Sequence, residues 1–333
     1  MEKPKVMLIG VGRFGKNHLR VLAELTRQGL CSLCAVSDIR QDILDNVKAR
    51  YNVKTSTNFE ELLDDVDIVD VVTPASTHYK ICKTCLEAGK HVLVEKPMTT
   101  RYEEALELVR IAKREGLTFM VGHIFRYNMA VRTIKELIGR GELGDIYYLF
   151  GHFMGLKSPR EDVGAILNYA VHHVDIYNFI LERLPSRVYC HKAHFLGREE
   201  FEDLGVLVLR YPDDVLGILE VSWLPPGAYR DLTVVGSEGS IVCDLREQII
   251  WFYRSKIVRR GDKLIAVSSG ERRMVIEHEE PLLLELKDFI ESVRDGRAPI
   301  ADMFSALMTM KILDAALRSA EIGREVTIHY GGE

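Results

Sequence analysis

The fold is decided by Val6-Met7-Leu8-Ile9-Gly10-Val11-Gly12-Arg13-Phe14-Gly15, near the start of a 333-residue chain. Four apolar residues predict a buried strand, and the G-x-G-x-x-G pattern follows at once, where a helix is predicted to begin. In this setting Gly10 permits a tight turn, Gly12 lets the backbone approach a pyrophosphate, and Gly15 lets the helix pack closely on the strand. The helix N-terminus adds amide donors and a positive dipole end. The stretch therefore predicts a dinucleotide-binding turn, rather than a βα turn without a ligand.

The rest of the first third alternates short apolar strands with amphipathic helices, which predicts parallel strands joined by crossover helices. The strand at Asp67–Thr73 is almost continuously apolar, as expected when helices cover both faces of a sheet. We therefore predict a Rossmann domain with a doubly wound parallel sheet over residues 1–122. Its strands are predicted near residues 5–10, 31–37, 67–73, 91–94 and 118–121.

A second domain is predicted over residues 123–333, because the pattern changes after residue 122. Several strands follow one another from Val188 to Tyr253 without helices between them, which indicates an antiparallel sheet. The predicted class is α+β, with a large, open, mainly antiparallel sheet. A further strand is predicted at 145–153 and helices at 128–139, 165–184, 282–295 and 302–321, the last able to pack back on the first domain.

Composition excludes several classes of protein. The net charge is −5 and no run of Lys and Arg forms a basic stripe, so a nucleic-acid partner is not expected. The apolar stretches fall well short of the ~20 residues of a membrane-spanning helix, so no membrane association is expected either. Residues 1–4 pass into the first strand without the features of a signal peptide, and a cytoplasmic location is expected.

Six cysteines include two pairs with C-x-x-C spacing, Cys31/Cys34 and Cys82/Cys85. The first pair falls in a predicted strand, where positions three apart face opposite sides, and the second falls in an amphipathic helix. We expect buried reduced thiols and no metal site, rather than a four-cysteine zinc site.

Asp38 ends the second predicted strand, where an acidic side chain can accept hydrogen bonds from the adenine-ribose hydroxyls. A 2′-phosphate would be repelled by this carboxylate, although Arg40 could accommodate one. The cofactor is therefore predicted to be NAD, with NADP as the alternative.

The motifs together resemble the glucose–fructose oxidoreductase, inositol dehydrogenase and rhizopine-catabolism family (Gfo/Idh/MocA) over essentially the whole chain. The most specific motif is Glu95-Lys96-Pro97 at the end of a Rossmann strand. The others are the glycine loop with Asn17-His18 after it, Thr73-Pro74-Ala75-Ser76-Thr77-His78, Arg126, Gly141-Glu142-Leu143-Gly144, Gly164, His172-x-x-Asp175, Trp223 and Gly236-Ser237-Glu238-Gly239.

The resemblance implies an NAD-dependent oxidoreductase in which Lys96 and His172 flank a reacting carbinol. Oxidation of a carbinol must lose a hydride and a proton, which suits a histidine base and a cation beside the developing alkoxide. The cofactor-binding residues implied are Gly10, Gly12, Arg13, Phe14, Gly15, Asp38, Thr73, Pro74, His78, Glu95, Lys96 and Arg126.

Asn168, His172 and Asp175 have i, i+4 and i+7 spacing, which predicts one shared face of a regular helix. Asp175 could then orient the His172 imidazole, whereas His173 points elsewhere and is expected to be structural. Many relatives carry aspartate at the position of Asn168. An amide cannot take up a proton at neutral pH, so Asn168 is predicted to position a substrate hydroxyl.

Lys157 and Arg160, just before this helix, resemble the lead-in of sugar-nucleotide dehydrogenases and could hold a diphosphate, although both could equally be solvated loop cations. The best substrate prediction is oxidation at C3 of a UDP-N-acetylhexosamine. The alternatives are an inositol or free-sugar dehydrogenase, an NAD-dependent glycosidase of the same fold and, last, a cofactor-sensing regulator. The open sheet predicts a homodimer or homotetramer.

Overall fold

The computed structural model describes residues 3–331. These residues form two units. The first contains the chain up to Ile124 together with Glu280–Met310, and the second contains Phe125–Glu279 together with the chain from Lys311 onward.

The first unit is built on a six-stranded parallel sheet with the strand order β3-β2-β1-β4-β5-β6. This order confirms the predicted doubly wound Rossmann sheet, in which a ligand binds at the carboxyl ends of the strands. The strands are β1 (Lys5–Ile9), β2 (Ser32–Ser37), β3 (Lys54–Ser56), β4 (Ile68–Val71), β5 (His91–Glu95) and β6 (Phe119–Gly122). The helices between them are α1 (Gly15–Arg27), α2 (Gln41–Arg50), α3 (Ala75–Glu87) and α4 (Tyr102–Glu115).

The second unit is built on a nine-stranded sheet with the order β14-β13-β12-β11-β7-β10-β9-β8-β15. All its neighbours are antiparallel except β7 and β10, which confirms the predicted mainly antiparallel sheet. Its elements are α5 (Met129–Gly139), β7 (Ile146–Gly155), α6 (Val171–Leu181), β8 (Arg187–Ala193), β9 (Leu204–Arg210), β10 (Leu216–Ser222), β11 (Ala228–Gly236), β12 (Ser240–Asp244), β13 (Ile249–Arg260) and β14 (Lys263–Met274). The last elements of the chain are α7 (Pro281–Asp295), α8 (Met303–Ile322) and β15 (Val326–Thr327).

The predicted second domain of residues 123–333 is not continuous in this structure, because α7 lies in the first unit. There it packs against α1, and Arg20 of α1 forms an ion pair with Glu280 just before α7. The backbone of Val121 also donates to the carbonyl of Ala301. These contacts join residues far apart in sequence, so local patterns do not show to which unit α7 belongs.

The helix predicted at 165–184 consists of two elements. A π-helical turn over Ile166–Ala170 comes first, α6 follows it, and the chain leaves the helix at Glu182 with φ of 53°. A π-turn adds one residue to the helical repeat, so the i, i+4 relation assumed for Asn168 and His172 does not hold as in a regular α-helix.

The six cysteines carry free thiols, and Cys34 is only half-buried, in contrast to the expectation of burial. Over residues 3–331 no three His, Cys, Asp or Glu side chains are grouped to hold a metal ion. Within the same residues, every helix is too short or too polar to cross a bilayer.

Candidate active site

The glycine loop joins β1 to α1 at the carboxyl edge of the parallel sheet. Gly10 has φ of 92°, and a Cβ there would lie 2.4 Å from the carbonyl oxygen of Val72. A Cβ on Gly15 would lie 2.1 Å from the carbonyl oxygen of Gly10, whereas one on Gly12 would meet no atom within 4 Å. Two glycines therefore permit the packing, and the third leaves open space beside the backbone, which is the cradle a pyrophosphate requires. The neighbours Arg13 and Phe14 are exposed.

Asp38 follows β2 at the same edge and is tied to the glycine loop. One carboxylate oxygen accepts the Val11 N–H at 2.8 Å, and the other accepts the Arg40 N–H at 3.0 Å. Sequence reasoning overlooked its neighbour Ile39, whose side chain is 89% exposed. Ile39 therefore presents an exposed apolar surface beside Asp38.

Thr73 and Pro74 follow β4, and His78 lies one turn into α3. The His78 ring is almost fully buried, with Nδ1 2.9 Å from the carbonyl oxygen of Pro97 and Nε2 3.0 Å from that of Thr73. His78 therefore links the loop after β4 to the loop after β5, and its predicted role toward the cofactor stays a prediction.

Glu95 ends β5 and Lys96 follows it, with a cis peptide bond between Lys96 and Pro97. The Glu95 side chain turns back so that its Oε2 accepts the backbone N–H of Lys96 at 3.2 Å. Its Oε1 lies 3.3 Å from Nε2 of His18 in α1. Lys96 therefore lies at the same sheet edge as the glycine loop and Asp38.

His18 completes a buried cluster with Asp70 of β4, which sequence reasoning did not find. Nδ1 of His18 lies 2.8 Å from Oδ2 of Asp70, and the two side chains are only 1% exposed. Burial by itself would lower the pKa of His18, but the charges and hydrogen bonds of Asp70 and Glu95 outweigh it and raise this pKa to about 10. The pKa of Asp70 is also raised, and there burial is the main cause. The cluster therefore retains a proton on His18 at neutral pH.

In the second unit, Arg126 and Asp175 form a buried ion pair. Nε of Arg126 donates to Asp175 Oδ2 at 2.9 Å, and Nη2 donates to Oδ1 at 2.6 Å. This is the bidentate geometry of a strong charge-assisted pair. The sequence had assigned Arg126 to the cofactor and Asp175 to the His172 imidazole, and the structure shows both side chains bound to each other.

His172 lies in the first turn of α6 and is 6% exposed. Its imidazole stacks on the Phe153 ring, with centroids 4.6 Å apart and an interplanar angle of 24°, and meets the edge of Phe125 at 5.1 Å. The guanidinium of Arg230 lies 3.6 Å from the centroid of the same Phe153 ring. Asn168, within the π-turn, is 8% exposed. Aromatic packing therefore fixes the orientation of the His172 ring.

His173 points to the sheet instead. Its Nε2 lies 2.7 Å from the carbonyl oxygen of Asp231, and a Cβ on Gly151 would lie 2.6 Å from the same nitrogen. Burial lowers the pKa of His173 to about 4, so its ring is neutral and donates to the carbonyl.

The two loop cations before the π-turn differ from each other. Arg160 forms two hydrogen bonds with Asp162, from Nε at 2.7 Å and from Nη2 at 2.8 Å, so its charge is already balanced. Nζ of Lys157 lies 5.8 Å from the centroid of the Tyr169 ring. The pairing of Arg160 weakens the expectation that both cations bind a diphosphate.

Two family models match the chain. Residues 4–123 match the model described as "Oxidoreductase family, NAD-binding Rossmann fold", and residues 131–242 match the model described as "GFO/IDH/MocA C-terminal domain". The cofactor is therefore NAD, and the open cradle at Gly12 and the carboxylate of Asp38 fit it.

Two known proteins illustrate the similarity. Myo-inositol 2-dehydrogenase of Thermotoga maritima is 26% identical over 97% of this chain and 98% of its own length. UDP-N-acetylglucosamine 3-dehydrogenase of Acidithiobacillus ferrooxidans is 30% identical over 51% of each chain. A crystal structure of UDP-N-acetylglucosamine 3-dehydrogenase from Acidithiobacillus ferrooxidans superposes on this chain with a TM-score of 0.83. The alignment has 21% identity and covers 97% of this chain and 99% of that one, which supports the fold.

The named relatives act on an inositol or on a sugar nucleotide, so they do not agree on a substrate. The two family models match most of the first unit and part of the second. This chain is an NAD-binding oxidoreductase that belongs to the Gfo/Idh/MocA family.

Proposed function

We propose that this enzyme oxidises a secondary alcohol of a sugar or sugar nucleotide, with C3 of a UDP-N-acetylhexosamine as the best candidate. Lys96 and His172 are the proposed catalytic residues, and Asn168 is proposed to position a substrate hydroxyl. The cofactor, when bound, accepts the hydride from the carbinol carbon. A cytoplasmic location is part of the same proposal.

The observation that carries the proposal is the place of Lys96 at the carboxyl edge of the parallel sheet. The glycine loop, Asp38 and Lys96 follow β1, β2 and β5, and parallel strands bring their carboxyl ends to one edge. In open α/β sheets the ligand binds outside this edge. A lysine ammonium there can stabilise the negative charge that develops on the carbinol oxygen.

His172 is proposed as the base that takes the hydroxyl proton. Histidine suits this role near neutral pH, and the Phe153 and Phe125 contacts hold its ring in one orientation. Asn168 offers an amide that can donate to one hydroxyl and accept from another.

The sugar-nucleotide substrate is supported by Lys157 and by the similarity to UDP-N-acetylglucosamine 3-dehydrogenase, which spans about half of the chain in sequence. The inositol alternative is supported by the similarity to an inositol dehydrogenase over nearly the full chain. Because Nε and Nη2 of Arg160 are bonded to Asp162, a diphosphate would have less of this guanidinium to bind than the sequence suggests.

The decisive experiment measures NADH formation with NAD and a panel of UDP-sugars, inositols and free hexoses. Lys96→Ala and His172→Ala should each lower kcat by ~10²–10⁴-fold, the range expected for a lost acid–base group. His173→Gln is the control, because it changes the adjacent histidine, whose nitrogen bonds a backbone carbonyl. Near-native turnover by both alanine variants would refute the site, and turnover of inositols but not of UDP-sugars would refute the substrate.

An NAD-dependent glycosidase of the same fold would oxidise the sugar transiently, eliminate the aglycone and reduce the sugar again. Such an enzyme releases no net NADH. Cleavage of a glycoside substrate without NADH accumulation would therefore favour this second candidate.

We further propose that the enzyme is a homodimer or homotetramer in which a second copy covers the open face of the nine-stranded sheet. Tyr148, Tyr189, Ile218 and Val242 are 36–40% exposed on their strands, and a contiguous apolar face of this kind is typical of association. Light scattering should show a dimer or tetramer, and Ile218→Lys should shift it toward monomer, whereas Lys263→Glu at the tip of β14 should not. A wild-type monomer at micromolar concentration would refute the interface.

A further inference from the structure

His18 is placed differently from an ordinary core histidine, because it faces two carboxylates from two adjacent strands. It lies in the first turn of α1, three residues after Gly15, and is 0% exposed. Nδ1 lies 2.8 Å from Oδ2 of Asp70, and Nε2 lies 3.3 Å from Oε1 of Glu95. Burying a carboxylate costs several kcal/mol unless a counter-charge is present. The imidazolium between Asp70 and Glu95 supplies it.

The Glu95 side chain is held on three sides. His18 faces Oε1, the backbone N–H of Lys96 donates to Oε2, and Gly122 of β6 lies against the carboxylate. A Cβ on Gly122 would lie 2.7 Å from Oε1, so only glycine leaves room for the side chain in this position. Glu95 therefore spans the gap between His18 and the backbone of Lys96.

The same histidine also touches the glycine loop. The Phe14 ring meets the His18 ring edge to face, with centroids 5.0 Å apart, and Phe14 remains 39% exposed on the loop. One buried side chain thus contacts both the loop that follows β1 and the glutamate that precedes Lys96.

We propose that His18 is a positioning residue for the reaction: it fixes Glu95, and through Glu95 it fixes the backbone of Lys96 at the end of β5. This inference rests on the proposed function only in taking Lys96 as the reacting lysine. A misplacement of about 1 Å at a reacting group can cost ~10²-fold in rate, so a contact two steps removed from the substrate can be essential.

The electrostatics support the geometry. The charged groups that face His18 are Asp70 from β4 and Glu95 from β5, and together they raise the pKa of His18 to about 10 against the effect of burial. His18 therefore retains its proton across the neutral range. Among residues 3–331 neither Oε1 of Glu95 nor Nε2 of His18 has a hydrogen-bond partner, so these two atoms interact through charge across 3.3 Å.

The test compares His18→Gln, Glu95→Gln and the double variant. His91→Gln is the matched control, because His91 begins the same strand β5 at its opposite end, where its Nδ1 accepts the Thr118 N–H. We expect His18→Gln to lower kcat ~10- to 100-fold with little change in the KM for NAD, and the double variant to be no worse than Glu95→Gln alone, because both changes break one chain of contacts.

A second readout uses the protein without cofactor or substrate. Hydrogen exchange at the Lys96 amide should accelerate in His18→Gln and Glu95→Gln, because both changes loosen the bond from this amide to the Glu95 side chain. It should not accelerate in His91→Gln. If His18→Gln does not fold, Glu95→Gln alone should lower the pKa of the His18 ring measured by NMR. The inference is overturned by a kcat within about twofold of wild type, by additive effects in the double variant, or by unchanged exchange at Lys96.

These outcomes separate the inference from the proposed function. If Lys96→Ala retains full turnover, the catalytic assignment of Lys96 is wrong. The exchange rate of the Lys96 amide still shows whether His18 positions that backbone.

Discussion

One histidine in each unit, His18 in the first and His173 in the second, is 0% exposed, yet His18 is a cation and His173 is neutral. His18 in the first unit faces the carboxylates of Asp70 and Glu95, which raise its pKa to about 10. His173 in the second unit donates to the carbonyl oxygen of Asp231, and burial is the largest effect on its pKa, which falls to about 4. Burial acts on both in the same direction, so the difference comes from the partner. A buried histidine is therefore a cation only where the fold supplies an anion.

This contrast predicts that base weakens the first unit and acid weakens the second. These two effects, together with the buried Arg126–Asp175 ion pair as a reference, can be tested in order of expected size.

The largest effect is expected at His18. A folded-state pKa raised from 6.5 to about 10 contributes stability that is fully present below pH 6.5 and is lost as pH rises toward 10. The expected loss is up to about 5 kcal/mol, at about 1.4 kcal/mol per pKa unit. As pH rises, the β1 and β4 amides should lose protection against hydrogen exchange, relative to the intrinsic rate at each pH, in wild type and not in His18→Gln. Equal pH dependence in the two proteins would contradict the buried imidazolium.

The Arg126–Asp175 pair tests the same idea with a charge that cannot titrate away. Asp175→Ala leaves the Arg126 guanidinium buried and unbalanced by this carboxylate, and should destabilise the second unit by about 3–5 kcal/mol. Arg210→Ala is the control, because the Arg210–Glu325 pair is largely exposed and should matter by less than about 1 kcal/mol. Denaturant unfolding and hydrogen exchange in α6 measure the loss of stability in each variant. Similar losses in the two variants would show that burial of the pair is not what matters.

The third effect is the acid sensitivity of His173. A folded-state pKa lowered to about 4 contributes stability that is present above pH 6.5 and is lost as pH falls toward 4. The expected loss is about 3 kcal/mol. Between pH 7 and pH 4, the protection of the β7 and β11 amides against hydrogen exchange, relative to the intrinsic rate at each pH, should fall less in His173→Gln than in wild type. If wild type and variant respond alike, another group carries the acid sensitivity.

Much of the fold could be predicted from the sequence, and so could the position of the nucleotide turn within it. The strands of the first unit were placed within about two residues, because an apolar run and a following glycine loop are local signals. The exception is β3, whose Lys-Thr-Ser has no apolar run. Gly10, Gly12, Gly15 and Asp38 could be found because the dinucleotide motif is itself a local backbone geometry.

The interactions of the charged residues could not be predicted in the same way. His18 and Asp70 are 52 residues apart, and Arg126 and Asp175 are 49 apart, so neither contact leaves a periodic signal. The residue types in the π-turn before His172 also occur in regular α-helices, so they give no signal that distinguishes the two. Arg160–Asp162 does have a local signal, because two opposite charges two residues apart can meet in a loop.

The sequence by itself determined where the strands, the nucleotide turn and the family motifs lie, because each of these depends on neighbours within a few residues. Only the tertiary structure decided that α7 belongs with the first unit, that Asp175 binds Arg126, and that one buried histidine is charged while the other is neutral. Charge inside a protein depends on which groups come within a few ångströms and how much water is excluded, and distant segments supply both.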